Sequence, residues 1–314
     1  MAKKKPYRYP LYLLARSAAG LLALLPRHAL TALAAGLGRL GFRVITRQRN
    51  KTIENLTFAF GGRKTPAEIY ALAEKVFENS AVNAAEILQF PKLNAEKIRT
   101  FVEAEDGLAV YRSLLEEGRG LISLTAHLGN WELLAGTAIS LGIRGSVVAR
   151  RIYYEPFNRW LVGLRSALNV ETIYRDESPR KLLKILKSGG VVGILPDQDI
   201  DSLKGVFIDF MGRPAYTPVA PAKLAIASGA PILPNFLVRL GGGRYRLLTQ
   251  RPLRPQDFQR AQDPVLAMTR AWMQACEKVI LEYPDQWAWM HNRWKTRPDD
   301  LRLRKKGPEA HALS

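Results

Sequence analysis

His127 and Glu132 are of the right residue types, and near enough to each other in the chain, to share acid–base chemistry. They lie in LISLTAHLGNWELLAG, residues 121–136, which predicts a strand, a short polar turn and a helix. Gly129 permits a turn that folds back, and Asn130 is a candidate N-cap for the helix. In that geometry the Glu132 carboxylate accepts a hydrogen bond from one imidazole nitrogen and leaves the other free to take a proton from a substrate hydroxyl. We therefore predict that His127 is a general base and that Glu132 orients it.

The alternative is that His127 is a structural histidine at the end of a strand. The context favours chemistry, because the same turn holds a glycine, a helix cap and a carboxylate at the mouth of a predicted sheet, where α/β proteins bind ligands. Backbone N–H groups at the start of the helix could also stabilise a developing negative oxygen. Such a reaction needs no nucleophile from the protein.

The elements around this pair predict an α/β fold with a central mixed sheet flanked by helices. Residues 65–117 have helical periodicity behind a cap formed by Thr65 and Pro66. From residue 118 onward short apolar strands alternate with helices, and the strand in GGVVGILPD is apolar enough to be buried on both faces. Three glycines, residues 241–243, supply the turn of a predicted hairpin between PILPNFLVRL and RYRLLTQ.

Positive charge is concentrated at the N-terminus. The chain of 314 residues has 47 Lys and Arg against 28 Asp and Glu, a formal charge of +19, so its partners should be anionic. Residues 1–53 hold eleven of the basic residues and no acidic one, and Arg16, Arg27 and Arg39 interrupt their apolar sequence well before the roughly 20 residues of a spanning helix. We predict one or two helices that lie in an anionic membrane interface. A tilted single span and an ordinary packed helix pair are the alternatives; a cleaved signal peptide fits less well, because its apolar core would contain Arg16 and Pro26.

We divide the chain into membrane-associated N-terminal helices (1–53), a catalytic domain (54–298) and a flexible basic tail (299–314). Hydrophobic residues make up 47% of the chain, which excludes disorder as its main state. Cys276 is the only cysteine, so an internal disulfide is excluded, and the usual zinc-binding spacings are absent from the sequence. We predict no metal and no cofactor.

Several segments resemble one family, in the order in which that family has them. TAHLGNWELLAG is similar to the H-x4-D/E motif of the glycerolipid acyltransferase superfamily, in the HLGNWE form of the late acyltransferases of lipid A biosynthesis. Further similar segments are VVARRIYYEPFN, IYRDESPRKLLKILKSGGVVGILPDQD, GVFIDFMGRPAYTPVAPAKLAIASGAPILP and HNRWKTRP, so that the resemblance covers residues 10–298. It departs from the family at Ala126, where many relatives have Asn or a related residue before the histidine.

The resemblance implies a glycerol-3-phosphate acyltransferase-like fold and the transfer of a fatty acyl chain onto a hydroxyl of a lipid A precursor or related glycolipid. The donor would be acyl carrier protein or coenzyme A, and the acyl chain would pass directly to the acceptor, without a covalent acyl-enzyme, at the cytoplasmic face of a bacterial inner membrane. His127 is the general base in this scheme and Glu132 its acidic partner. Because acyl carrier proteins are acidic and lipid A precursors have phosphates, the basic chain is complementary to donor, acceptor and membrane.

The resemblance also assigns Arg151, Arg175 and Asp197 to the substrate-binding site. By their chemistry the two arginines could grip phosphate on the acceptor or the donor, or they could form surface ion pairs. Asp197 follows a predicted buried strand and could order one of these arginines or support His127. With two aspartates that follow it, it could instead form a solvated acidic loop or bind a cation.

Two other functions stay open as alternatives. A lysophospholipid or other glycolipid acyltransferase would share nearly all of these segments. A non-catalytic basic protein that binds membrane or nucleic acid would explain the charge but not the His127 segment; the sequence has no helix-turn-helix, zinc-finger or RNA-recognition pattern, and we expect no nucleic-acid partner. We expect Trp287 and Trp289, near the C-terminus, to pack in the core rather than to form an interfacial belt.

Overall fold

The computed structural model describes residues 7–177 and 179–299 and centres on one large sheet. The described strands are β1 (Val102–Glu103), β2 (Leu121–Leu124), β3 (Gly145–Ala149), β4 (Glu171–Tyr174), β5 (Val191–Ile194), β6 (Gly205–Phe210), β7 (Arg213–Pro218), β8 (Ile232–Gly241) and β9 (Arg244–Thr249). Seven of them form the sheet in the order β1-β9-β8-β2-β5-β3-β4, and β6 and β7 pair as a separate antiparallel hairpin. The predicted hairpin of β8 and β9 is confirmed.

Five adjacent strands, from β8 across to β4, are parallel, while β9 runs antiparallel to β8 and β1 runs parallel to β9. The predicted α/β fold with a central mixed sheet is therefore confirmed, and the sheet is mostly parallel. In the register of β2 with β5, Leu121 lies opposite Val191 and Leu124 opposite Ile194. The segments that follow these two strands consequently leave the sheet side by side, at the edge where α/β proteins bind ligands.

The described helices lie on both faces of the sheet and also form the N-terminal segment. They are α1 (Arg8–Leu24), α2 (Arg27–Val44), α3 (Thr46–Phe60), α4 (Pro66–Glu86), α5 (Ala95–Arg99), α6 (Glu105–Glu116), α7 (Trp131–Ser140), α8 (Glu155–Ser166), α9 (Pro179–Lys187), α10 (Ala220–Ser228) and α11 (Pro264–Glu282). The predicted cap of α4 is confirmed: the backbone N–H of Glu68 donates to the Thr65 hydroxyl, and the Thr65 N–H donates to the Glu68 carboxylate. The sequence patterns had assigned no element to the stretch that forms α11.

The core has two parts, one on each face of the sheet. Ile122 and Leu124 of β2 belong to the part that includes α10 and α11, whereas Leu121 belongs to the part that includes α6 and α7. This alternation follows from the two-residue period of a strand, and both faces are buried because helices cover both. Trp287 and Trp289 are buried in the first part, as predicted.

Helix α2 is packed tightly onto α4. A Cβ atom at Gly38 would lie 2.7 Å from the Cα of Glu78, so only glycine allows the two helix backbones to approach this closely. Arg39 donates to the Glu78 carboxylate at 3.0 Å, and Arg27 donates to the carboxylate of Glu86 at 2.8 Å. Close packing and ion pairs therefore join this part of the predicted N-terminal segment to the rest of the described structure.

Helix α1 differs, because it leaves large apolar side chains exposed. Leu14, Leu21 and Leu24 are 68%, 70% and 69% exposed. Among the described helices, none is both long and apolar enough to cross a bilayer alone; α2 and α3, which meet at a bend of 91°, satisfy that criterion only as a pair. Most of the predicted tail, residues 300–314, lies outside the described residues.

Candidate active site

His127 and Asp197 meet at the carboxyl edge of the sheet. His127 follows β2, and Asp197 follows the neighbouring parallel strand β5. The Nδ1 atom of His127 lies 2.8 Å from Oδ1 of Asp197, and the backbone N–H of His127 donates to Oδ2 of the same carboxylate at 2.9 Å. Of the contacts considered for Asp197 in the sequence analysis, the structure therefore shows the one with His127.

The Asp197 carboxylate is fully buried and remains an anion. Burial by itself opposes ionisation, but the charge of His127 and the hydrogen bonds from His127 and Trp287 hold the pKa of Asp197 well below its usual range. The indole N–H of Trp287 donates to Oδ2 at 2.9 Å, so this oxygen accepts two N–H groups while Oδ1 faces the imidazole. The tautomer that fits has its proton on Nδ1, with Nε2 as the free basic nitrogen.

The predicted hydrogen bond from His127 to Glu132 is wrong. Glu132 instead accepts two hydrogen bonds from the guanidinium of Arg165, at 2.8 and 2.6 Å. The physical reason is local: Asn130 caps α7 so early that Glu132 already belongs to the first helical turn, and the turn does not fold back onto the imidazole. The neighbour that α7 gives to His127 is Trp131, whose ring centroid lies 5.2 Å from that of the histidine.

Two residues that the sequence interpretation missed, Gln198 and His291, complete the surroundings of His127. The amide nitrogen of Gln198 lies 3.2 Å from Nδ1 and 3.1 Å from Nε2 of His127, and 2.8 Å from Nε2 of His291. An amide nitrogen this close to both ring nitrogens cannot lie in the plane of the imidazole, because it would overlap the Cε1 atom between them. The amide of Gln198 therefore lies over the face of the ring. The in-plane lone pair of Nε2 therefore stays available.

His291 is a neutral neighbour. Its burial, together with the charge of the nearby His127, lowers the pKa of His291 to about 4. The two rings are 5.4 Å apart, centroid to centroid. Both missed residues lie in segments that carry the family resemblance, PDQD and HNRWKTRP. The sequence signal that could have identified them is their position: Gln198 directly follows Asp197, and His291 follows the two tryptophans that were predicted to be buried.

A buried network fixes the turn that presents His127. Gly129 has φ +61°, and a Cβ there would lie 2.0 Å from the carbonyl oxygen of Leu237. The predicted N-cap is confirmed, because the Asn130 side chain accepts from the N–H of Leu133 at 2.9 Å. The Asn130 amide also donates to the Glu86 carboxylate at 2.9 Å, which connects the turn to the end of α4.

Glu86 is a charged centre inside this network. Burial raises its pKa, but Arg239 and Arg27 outweigh that effect and hold the pKa of Glu86 below its usual value. The hydroxyl of Tyr245 also donates to this carboxylate. Since Arg27 belongs to α2, the N-terminal helices and the turn before α7 share one ion cluster.

Arg151 and Arg175 lie at the same edge of the sheet as His127, because they follow the parallel strands β3 and β4. Both side chains are exposed. The Arg151 guanidinium stacks over the ring of Tyr174 at 3.8 Å from its centroid, and the backbone N–H of Arg175 donates to the carbonyl of Ala149. Neither guanidinium forms a hydrogen bond to His127, Glu132 or Asp197 within the part of the chain that the structure describes.

A narrow cavity of about 50 Å³ lies between α7 and the sheet, and Trp131, the aromatic neighbour of His127, lines it. Thr125 and Trp131 line it near the histidine, and α7 supplies apolar walls that include Leu134, Ala138 and Ile139. Tyr111 and Ser123 line it too, and their hydroxyls are hydrogen-bonded to each other at 2.6 Å. The cavity is therefore an apolar slot with a paired polar group in its wall.

The described residues contain no group of three or more His, Cys, Asp or Glu side chains that could hold a metal ion. The other two aspartates after β5 have structural partners: Asp199 accepts from the N–H and hydroxyl of Thr296 at 2.7 Å, and Asp201 lies 3.3 Å from the ammonium of Lys295.

Together the fold and the site define an α/β protein that holds a histidine by a buried carboxylate at the carboxyl edge of a mostly parallel sheet. A family model described as bacterial lipid A biosynthesis acyltransferase matches residues 1–296. The chain belongs to this family, which confirms the resemblance recognised in the sequence.

Individual relatives differ in what their names say they acylate. The chain is 27% identical to the lipid A biosynthesis lauroyltransferase of Escherichia coli over 281 residues, covering 88% of this chain and 89% of that protein. It is 24% identical to a lipid A biosynthesis acyltransferase of Haemophilus influenzae over 272 residues, 83% of this chain and 81% of the relative. A phosphatidylinositol mannoside acyltransferase of Mycobacterium tuberculosis is 25% identical over 215 residues, 67% of this chain and 66% of the relative, just under two thirds of its length.

Proposed function

We propose that this protein is an O-acyltransferase that moves a fatty acyl chain from a thioester donor, acyl carrier protein or coenzyme A, onto a hydroxyl of a lipid A precursor or related glycolipid. The observation that supports this most directly is the His127–Asp197 pair in a chain of an acyltransferase family. A carboxylate-held imidazole is suited to deprotonate an alcohol near neutral pH. The His127 side chain is 22% exposed, so a substrate can reach it.

The reaction follows from which imidazole nitrogen is free. Nδ1 of His127 faces Asp197, so Nε2 takes the proton of the acceptor hydroxyl while that oxygen bonds to the thioester carbonyl carbon. The buried carboxylate stabilises the imidazolium that forms. Collapse of the tetrahedral intermediate breaks the carbon–sulfur bond, and the imidazolium returns its proton to the departing thiolate. No covalent acyl-enzyme is needed.

The slot between α7 and the sheet is the proposed place for the acyl chain. Trp131 lines it, with its ring centroid 5.2 Å from that of His127, so a chain that enters at this end would leave its thioester carbonyl near the imidazole. At about 50 Å³ the slot is far smaller than the roughly 300–1,000 Å³ of ordinary ligand sites, so α7 or its side chains must move to admit a chain.

The remaining predicted site residues take supporting roles in this proposal. Arg151 and Arg175 hold phosphate on the acceptor or on the donor, because both are exposed cations at the sheet edge that holds His127. Glu132 acts through Arg165, which it pairs with on α8, and so positions α7 beside the imidazole.

The proposed place of work is the cytoplasmic face of a bacterial inner membrane. Exposed leucines on α1, among them Leu14 and Leu21, supply apolar contact, and the charge of +19 attracts anionic lipid as well as an acidic carrier protein. The Mycobacterium relative supports a second acceptor class, a phosphatidylinositol mannoside type of glycolipid, in place of a lipid A precursor.

The test supplies purified protein with acyl carrier protein or coenzyme A thioesters and with competing acceptors: a lipid A precursor, a phosphatidylinositol mannoside and a lysophospholipid. Mass spectrometry of the products identifies acceptor, position and chain length together. Replacing His127 by Ala should lower turnover by about 10²–10⁴-fold. His28→Ala, on the exposed side of α2, is the matched control and should retain turnover. Equal turnover of wild type and His127→Ala would show that this histidine is not the base.

A further inference from the structure

A second, larger recess lies between α1 and α8, apart from the residues of the candidate active site. Its volume is about 540 Å³. The residues that line it are Tyr9, Tyr12 and Arg16 of α1 and Pro156, Arg159, Trp160, Gly163 and Leu164 of α8. They combine two arginines with three aromatic rings, and no carboxylate is among them. We refer to this recess as the α1–α8 groove.

The two arginines of the groove lack an anionic partner within the described residues. Arg16 donates to the neutral hydroxyl of Tyr12 at 3.1 Å, and no ion pair joins Arg159 to a described carboxylate. Glu155, in the first turn of α8, does not line the groove. Two guanidinium groups that face one recess repel each other unless an anion lies between them, and their planar forks match the oxygens of a phosphate.

The aromatic side chains point to a lipid rather than to a free ion. Tyr9 is 57% exposed, and it lies beside Tyr12 in the groove with 6.3 Å between the ring centroids. Tyrosine and tryptophan collect at the depth of lipid headgroups, because their rings are apolar and their hydroxyl or N–H groups are polar. The same helix exposes Leu13, one turn after Tyr9 and on the same side of the helix, so exposed apolar surface lies beside the groove.

We propose that the α1–α8 groove binds the phosphate headgroup of an anionic glycerophospholipid, with Arg16 and Arg159 on the phosphate and the aromatic rings against the glycerol and upper acyl chains. This inference rests on the membrane contact in the proposed function, but not on acyl transfer. A lipid bound there would join α1 to α8, the helix whose Arg165 pairs with Glu132 of α7. The bilayer would then help to set the position of the candidate active site.

The experiment measures binding to phosphatidylcholine vesicles with and without phosphatidylglycerol at about one lipid in five, which supplies an anionic surface that attracts basic residues. The test protein is the double variant Arg16→Gln with Arg159→Gln. The control is Arg112→Gln with Arg260→Gln, which removes the same charge from exposed positions outside the groove. We expect the groove variant to lose about ten times more affinity for anionic vesicles than the control, and the two to bind neutral vesicles alike.

Equal losses in the two double variants would overturn the proposal, because general charge attraction would then explain the binding. Inorganic phosphate, exchanged for chloride at constant ionic strength, should leave vesicle binding unchanged; displacement by phosphate would mean a free-anion site and would overturn the lipid assignment. His127→Ala should bind vesicles like the wild type. A protein that binds through the groove but transfers no acyl chain would refute the proposed function and leave this inference intact.

Discussion

Asp197 holds His127 at two points, through the ring at Nδ1 and through the backbone N–H. The two contacts are 2.8 and 2.9 Å long, and they join the ends of two adjacent parallel strands. The orientation of the imidazole is therefore fixed by the register of β2 and β5, which is set by a buried and rigid part of the sheet.

Replacing Asp197 by Asn should reverse the tautomer of His127. The Oδ2 position accepts two N–H groups, from His127 and Trp287, so the oxygen of the new amide must occupy it. The amide NH₂ would then donate to Nδ1, so the ring proton would move to Nε2. A protonated Nε2 cannot accept the proton of the acceptor hydroxyl, and His127 could not act as the base. We expect turnover to fall by about 10³–10⁴-fold with little change in fold, as measured by acyl transfer and circular dichroism.

The matched control for that variant is Trp287→Phe, which removes one hydrogen bond to Asp197 but leaves the carboxylate and the imidazole in place. It should lower turnover far less. ¹⁵N chemical shifts of the His127 ring report the tautomer directly, and an unchanged tautomer in Asp197→Asn would contradict the argument.

Glu132 and Arg165 should behave as one unit in a double-mutant cycle. Their bidentate pair is partly buried, and Glu132 outweighs the burial that would otherwise lower the pKa of Arg165. Alanine at either position leaves the other charge without its partner, so each single variant should lose activity and the double variant little more. We expect a coupling free energy of about 0.5–3 kcal/mol, calculated from the turnover numbers of the four proteins.

The tautomer of His127 distinguishes this role from the one first predicted for Glu132. If Glu132 oriented the imidazole, Glu132→Gln would alter the ¹⁵N spectrum of His127 and Arg165→Ala would not. The structure leads to the opposite expectation, in which Glu132→Gln leaves that spectrum unchanged.

Local features of this chain were predictable from the sequence, and long-range pairings were not. The strand, turn and helix around His127, the Asn130 cap and the β8–β9 hairpin all depend on short-range periodicity and on turn chemistry. The carboxylate that contacts His127 depends instead on β5 lying next to β2, a strand order that periodicity does not contain. Spacing along the chain favoured Glu132, whereas sheet topology brings Asp197 to the ring.

The same limit explains why His291 was missed. His291 is far from His127 along the chain, and the Gln198 amide lies between the two rings. No short-range spacing in the sequence relates the two histidines. The family resemblance did include Asp197 among the site residues, because a resemblance reflects the fold as a whole. The contact of Asp197 with His127, however, is known only from the structure.

Entry of the acyl chain between α7 and the sheet can be tested at Ala138, which lines the slot. A phenylalanine there should fill the slot and shorten the preferred acyl chain by several methylene groups, because the ring occupies space that the chain end would need. Competition between donors of different chain length measures the preference. Ala167→Phe, at an exposed position after α8, is the control and should not alter it; an unaltered preference in Ala138→Phe would place the chain elsewhere.

His291 should make the protein less stable in acid. Its pKa is about 4 in the folded chain and 6.5 in an ordinary setting, so between these values the unfolded chain binds the extra proton. The free energy of unfolding therefore falls as the pH drops from 6.5 to 4, by about 3 kcal/mol from this residue. The stability contributed by Asp197, whose pKa is lowered, is lost only below the ordinary aspartate range, at still lower pH.

Urea unfolding of wild type and His291→Gln across this pH range measures the effect. The variant should lose less stability between pH 6.5 and 4, by about the same 3 kcal/mol. Asn292→Ala changes the exposed neighbour without removing an imidazole and should follow the wild type. Identical slopes for wild type and His291→Gln would show that this histidine does not stay neutral in the folded chain.

Alanine substitutions at Gly129 and Gly142 distinguish the effect of backbone strain from the effect of a steric clash. Both have positive φ, +61° and +101°, where an L side chain is strained, so alanine should destabilise either position by about 1–2 kcal/mol. At Gly142 nothing lies within 4 Å of the added Cβ, whereas at Gly129 the Cβ would be 2.0 Å from the Leu237 carbonyl oxygen. That oxygen accepts from the N–H of Asn130, so relief of the clash must move the turn that presents His127. We expect Gly142→Ala to retain turnover with a slightly lower melting temperature, and Gly129→Ala to lose most of its turnover even where it folds; equal effects at both positions would mean that the turn tolerates displacement.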